Sequence, residues 1–141
     1  MSYTGRCACG VISLEFLAKP IATRQCWCRQ CQQIAAGGPT QNAIFKNDHV
    51  SIQGTLASCQ WTAASGNTLT FHFCPSCGTQ VYAQSSARMY LKTVRFGVID
   101  EPHGLKPEMV IWTEDAPAWA QIDPTLEAWP QQPPPPPPAK S

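Results

Sequence analysis

Along most of this chain hydrophobic and polar residues alternate over short distances, the period of a strand with one buried face. In the stretch 11–16, Ile12, Leu14 and Phe16 fall on one side and Ser13 and Glu15 on the other. Comparable stretches run over 21–26, 42–45, 50–53, 56–62, 68–73, 80–83, 89–94 and 109–113, and each is predicted to be a strand. Turn residues separate them: Lys46-Asn47-Asp48, Gln53-Gly54, Ser65-Gly66-Asn67 and residues 100–104. The best helical segment is short, about 28–36, and Gly37-Gly38-Pro39 stops it. A further helical turn is expected at Asp123, a good N-cap, with Pro124 in the first helical position. The pattern predicts a mainly β fold.

Residues 1–129 read as one domain. From residue 130 the composition shifts, and the six prolines Pro133 to Pro138 predict an extended polyproline helix. Residues 130–141 are then either a solvated tail or a ligand for an aromatic-lined groove. Only 13% of the chain is charged while 43% is hydrophobic, against about 25% charged in ordinary proteins. This balance suits a compact domain with a neutral polar surface. A net charge of +1 with no basic run argues against a surface that tracks nucleic-acid phosphates. No apolar run approaches the roughly 20 residues of a membrane span, and Glu15 interrupts the best candidate for a secretory leader. The expected location is therefore the cytoplasm, where Cys-x-x-Cys pairs are more often metal or redox sites than disulfides.

Seven of the eight cysteines fall into three clusters: Cys7-Ala-Cys9, Cys26-Trp-Cys28-Arg-Gln-Cys31 and Cys74-Pro-Ser-Cys77. Sulfurs so spaced on tight turns converge within about 2.3 Å of one Zn²⁺. The first and third clusters pair naturally as a closed four-sulfur structural site, with Gly10 and Gly78 letting the backbone curl so that amides donate to sulfur. Its excess negative charge calls for such amides and for the nearby Arg6. A redox Cys74-x-x-Cys77 is the competing reading, but that motif should open a helix inside a βαβ pattern, which the sequence lacks. The central cluster sits where a strand meets the short helix, and three protein ligands leave the fourth zinc position open, as in catalytic sites. Two other readings stay open there: completion of a closed site by Cys59 or His72, and a metal-free reactive dithiol. Cys59, alone in a β-like stretch, is expected to be a small core residue. His72 is expected to face solvent or to back the site, and His49 and His103 to occupy turns.

The order of these motifs resembles the glutathione-dependent formaldehyde-activating enzyme family. The resemblance runs from Gly5-Arg6-Cys7-Ala-Cys9-Gly10 through Cys26-x-Cys28-x-x-Cys31 to Phe73-Cys74-Pro-Ser-Cys77-Gly78-Thr79. Gly104-Leu-Lys-Pro107, Ile111-Trp112 and Ala116-Pro-Ala-Trp119 extend it, so that it spans about residues 5–129. It implies a β-tent fold like that of the Mss4-like zinc proteins, built from short antiparallel strands. It implies structural zinc on Cys7, Cys9, Cys74 and Cys77, and catalytic zinc on Cys26, Cys28 and Cys31. The implied activity is that of a carbon–sulfur lyase acting on a thiol–aldehyde adduct, such as the one formed by glutathione and formaldehyde. Trp27 departs from the family, which often has a small polar residue or histidine there; an indole beside an open zinc position is expected to narrow access or to stack on substrate. Arg24, Arg29, Lys46 and Arg95 are available cations for a substrate carboxylate. The rival reading is a non-enzymatic, zinc-stapled binding module, since no His, Glu or Asp stands beside the central cluster in sequence.

Overall fold

The structure, a computed structural model, describes residues 2–134, so residues 135–141 of the expected polyproline tail lie outside the described residues. The alternating stretches become strands with bounds close to those expected. They are β1 (Tyr3–Arg6), β2 (Ser13–Phe16), β3 (Ala22–Cys26), β4 (Thr40–Lys46), β5 (Val50–Gln53), β6 (Ala57–Thr62), β7 (Thr68–Phe73), β8 (Gln80–Ser85), β9 (Leu91–Arg95), β10 (Met109–Ile111) and β11 (Glu127–Ala128). A single α-helix among the described residues, α1 (Arg29–Ile34), follows β3. It ends where Ala36 and Gly37 take positive φ values of 57° and 99°. Asp123 starts no helix: its carboxylate accepts from the backbone N–H and the hydroxyl of Thr125, closing a local turn instead.

The strands form two sheets. One has the order β1-β2-β5; the other has eight strands in the order β11-β10-β3-β4-β9-β8-β7-β6. Neighbours are antiparallel except that β10 runs parallel to β3 and β11 parallel to β10. The small sheet packs Leu14, Phe16 and Val50 against Ala43, Phe45 and Val94 of the large one, and the rings of Phe16 and Phe45 stack at 4.8 Å. Burying each such ring contributes about 1.5–3 kcal/mol, so this layer is the core. Part of the opposite face of the large sheet is enclosed as well. Alternate residues Asn42 and Ile44, Thr93 and Arg95, and Leu69 and Phe71 line one cavity there.

Gly5 marks where β1 crosses the segment after β9. It bridges Ile99, and a Cβ added to it would stand 2.2 Å from the carbonyl oxygen of Val98. Backbone cannot yield as a side-chain tip can. Gly5→Ala is therefore expected to cost about 3 kcal/mol, the upper end of the overpacking range, read from the midpoint of urea unfolding. An unchanged midpoint would mean that β1 shifts freely.

Candidate metal centres and the adjoining cavity

Two tight loops face one another across the sheets. At the end of β1 the amide of Cys7 donates to the carbonyl of Ile12 at 3.1 Å, and that of Gly10 to Cys7. At the end of β7 the Cys74 amide donates to Thr79 at 2.9 Å, and Gly78 to Cys74. Gly10 and Gly78 take φ values of 82° and 77°, a region that residues with a Cβ avoid. The loops bring the sulfurs of Cys7, Cys9, Cys74 and Cys77 within 4.8 Å of one another. Cys7 and Cys9 stand 3.6 Å apart, and Cys9 and Cys74 3.8 Å. Sulfurs on a tetrahedron at about 2.3 Å from its centre are about 3.8 Å apart, whereas a disulfide holds them at about 2.05 Å. The four donors thus fit a soft divalent ion such as zinc. The backbone N–H of Ile12 donates to the Cys7 sulfur, and the Thr79 hydroxyl beside Cys77, with backbone amides, holds that thiol down at about 5. Arg6, expected as a countercharge, is instead paired with Asp100 at 3.6 Å. Cys74-x-x-Cys77 forms a turn rather than opening a helix, which removes the structural basis of the redox reading.

Cys26, Cys28 and Cys31 form a second group whose sulfurs also lie within 4.8 Å. Local structure explains their convergence. Cys26 ends β3, Cys28 is the N-cap of α1 with its sulfur accepting from the Cys31 amide at 3.3 Å, and Cys31 sits on the first turn. Neither Cys59 nor His72 completes the group. Cys59 is also not a core residue: β6 is the outermost strand of its sheet, and the cysteine is exposed there, accepting only from the Trp61 indole. His72 is half-buried and stacks on Tyr82 with ring centres 4.2 Å apart. His49 lies in a 3-10 turn as expected, and the His103 side chain is buried, accepting from the Leu105 amide and pairing with Glu101.

A buried polar chain backs this second group, and sequence reading did not find it. Arg95 donates to Asn42 at 2.6 Å, Asn42 to the Thr40 hydroxyl at 2.9 Å, and Thr40 to the Cys31 sulfur at 3.1 Å. The neighbouring Cys26 and Cys28 thiols, with Arg95 and Thr40 adding to them, hold Cys31 down at about 3, while Cys28 and Cys31 push Cys26 far up. The Arg95 guanidinium thus stands on the Cys31 side of the cluster, linked to it through Asn42 and Thr40. Such outer partners orient ligands and tune them.

The three cysteines open onto a cavity of about 420 Å³ on the concave face of the large sheet. Four arginines line it, Arg24, Arg29, Arg88 and Arg95, against one carboxylate, Asp115. Arg24 is 6% exposed and its Nε has no hydrogen-bond partner. Burial, followed by like-charged Arg88, lowers its pKa. Of the cations read from sequence, Lys46 does not line this cavity, while Arg88 and Asp115 were missed. The expectation for Trp27 also fails. Its indole is 3% exposed, donates to Gln25 and meets Trp119 edge-on, and it is not among the residues lining the cavity. It follows Cys26 just past the end of β3, and its side chain is buried away from the cavity. The aromatic residues packed against the cluster of Cys26, Cys31 and Ile111 are instead Trp112, just past β10, and Trp129, and of the two Trp112 lines the cavity.

Comparison with known proteins shows the fold and the family. A solved crystal structure of a Rhodobacter sphaeroides protein is similar in fold, with a TM-score of 0.56 over 89% of this chain and 98% of that one at 18% identity. No curated protein matches the chain. The family model described as glutathione-dependent formaldehyde-activating enzyme matches residues 2–115, which include both cysteine groups. The chain belongs to the glutathione-dependent formaldehyde-activating enzyme family.

Proposed function

We propose that this protein is a zinc-dependent carbon–sulfur lyase that makes and breaks thiol–aldehyde adducts, of the kind formed by glutathione and formaldehyde. The observation that carries the reading is the placing of three cysteine sulfurs, short of a closed ligand set, on the wall of an arginine-lined cavity. On this reading Cys7, Cys9, Cys74 and Cys77 hold structural zinc, and Cys26, Cys28 and Cys31 hold the catalytic one. Bound there, zinc would favour the thiolate form of a substrate thiol, whose ordinary pKa is about 8.5. In the forward direction the thiol sulfur attacks the carbonyl carbon and the carbonyl π pair moves to oxygen. The thiol proton ends on that oxygen, so no oxidant or reductant is needed. Asp115 is the carboxylate available to carry the proton. Arg24 and Arg88, with no carboxylate partner among the described residues, suit a substrate bearing a carboxylate. Thiolates that must stay reduced to hold metal suit a reducing compartment such as the cytoplasm.

The test pairs metal analysis of fresh protein with a panel of thiols and formaldehyde. We expect two zinc ions per chain and adduct formation above the spontaneous rate. Carboxylate-bearing thiols should outpace an aminothiol of similar size by about tenfold, the effect of one charge-assisted hydrogen bond. Protein with both metals that accelerates none of the panel would point instead to a zinc-stapled binding module.

A further inference from the structure

The family match ends at residue 115, yet the wall of the cavity does not: Gln132 also lines it. The chain returns to the site after β11. The amide of Trp129 donates to Val110 at 2.9 Å, and the amides of Trp112, Thr113 and Glu114 donate in turn to the carbonyls of Gln131, Trp129 and Pro130 at 3.2 to 3.4 Å. Three side-chain bonds add to these: Gln131 donates to the Glu114 carboxylate at 2.7 Å, the Trp112 indole N–H to the Gln132 amide oxygen at 3.4 Å, and the Thr113 hydroxyl to the Trp129 carbonyl at 3.2 Å. Pro133 is buried immediately beyond. Trp112 itself holds a left-handed backbone, φ 58° and ψ 39°, which a bulky residue keeps only where its surroundings enforce it. It and Trp129 pack, as Cys28 does, against the buried cluster of Cys26, Cys31 and Ile111, and Trp112 lines the cavity beside Cys28.

We propose that residues 129–132 are a strap that completes the mouth of the cavity, and that Trp112, held by Gln132, sets the size of the molecule admitted to Cys28. This deepens the lyase reading, since it assigns specificity to that same site. The geometry joins three parts: the cysteine cluster, the Trp112 side chain that packs against it and lines the cavity, and the exposed Gln132 that accepts from the Trp112 indole. The exposed side-chain bonds made by Gln131 and Gln132 open more readily than those of the core. Small aldehydes and thiols enter past it, whereas bulky ones must wait for it to lift.

Access is measured without any turnover. Cys28 is alkylated with iodoacetamide, a small reagent, or with N-phenylmaleimide, a bulky one, and its modification is followed by peptide mass spectrometry at equal zinc content. The full-length variant Gln131→Ala/Gln132→Ala should react roughly tenfold faster with the maleimide, as losing one to two ordinary hydrogen bonds implies. With iodoacetamide it should change less than about twofold, since no bond that holds the cysteines is lost. A chain ending at Pro130 should show the same selectivity more strongly, and one ending at Pro134 should match the parent. Equal acceleration by both reagents, or none by either, would overturn the strap. If the protein proves not to be a lyase, the labelling result still stands or falls alone.

Discussion

Replacing Cys74 with serine is expected to unfold the protein at ordinary temperatures. Cys74 is fully buried, and its sulfur stands 3.8 Å from that of Cys9. Cys7 and Cys9 follow β1 in the small sheet, whereas Cys74 and Cys77 follow β7 in the large one. A metal on these four sulfurs is therefore a clamp between the two sheets. Structural zinc binds with an apparent free energy of about 10–16 kcal/mol, while the whole stability of a domain is only about 5–15 kcal/mol. Serine offers no comparable ligand, because soft thiolate is what such a site selects. We expect Cys74→Ser to lose roughly 5 kcal/mol or more, seen as insoluble protein or a collapsed melting temperature, together with loss of zinc. Chelation of the parent should mimic it. Cys59→Ser is the control, since that thiol is exposed on the edge strand. A Cys74→Ser protein that melts like the parent with its zinc intact would show that the clamp contributes little.

The convergence of these four sulfurs was legible in the sequence because each half is local: the cysteine spacing with Gly10 and with Gly78 marks the two tight loops. The strand 68–73 was legible for the same reason, its alternation agreeing with β7. What escaped was whatever depends on how the large sheet curves. Asn42 and Arg95 stand at alternating positions as solvent-facing residues would, but the face they occupy encloses a cavity, and they are buried. A lone cysteine in an apolar stretch reads as core, yet Cys59 lies on a strand with a neighbour on only one side. Trp27 lies next to Cys26 in sequence and turns away from the cavity, while Trp112, far along the chain, packs on the cysteines through the parallel pairing of β10 with β3. Its partner Gln132 gives no periodic signal at all. Side-chain alternation tells which residues share a face, not what that face encloses.

The sharpest separation of fold from chemistry is expected from Cys28→Ser. Cys28 is half-buried and caps α1, its sulfur accepting the Cys31 amide. Serine is among the best N-caps, so the helix keeps its start and stability should change by less than about 1 kcal/mol. The metal site does not survive so easily. With Cys28 gone, Cys26 and Cys31 remain of the three donors, and a hydroxyl is a poor replacement for a soft thiolate. On the lyase reading, zinc content should fall from two per chain to one. Turnover should drop by about 10³-fold or more, which corresponds to several kcal/mol of lost transition-state stabilisation. The contrast with Cys74→Ser is the decisive part: one substitution removes the fold and everything with it, while the other leaves a folded, single-zinc protein without activity. If Cys28→Ser kept both its second zinc and its turnover, the three-cysteine group would be a structural feature and the chemistry would have to lie elsewhere. If it lost the zinc but kept turnover, the arginine-lined cavity alone would account for catalysis, with Asp115 the first residue to replace.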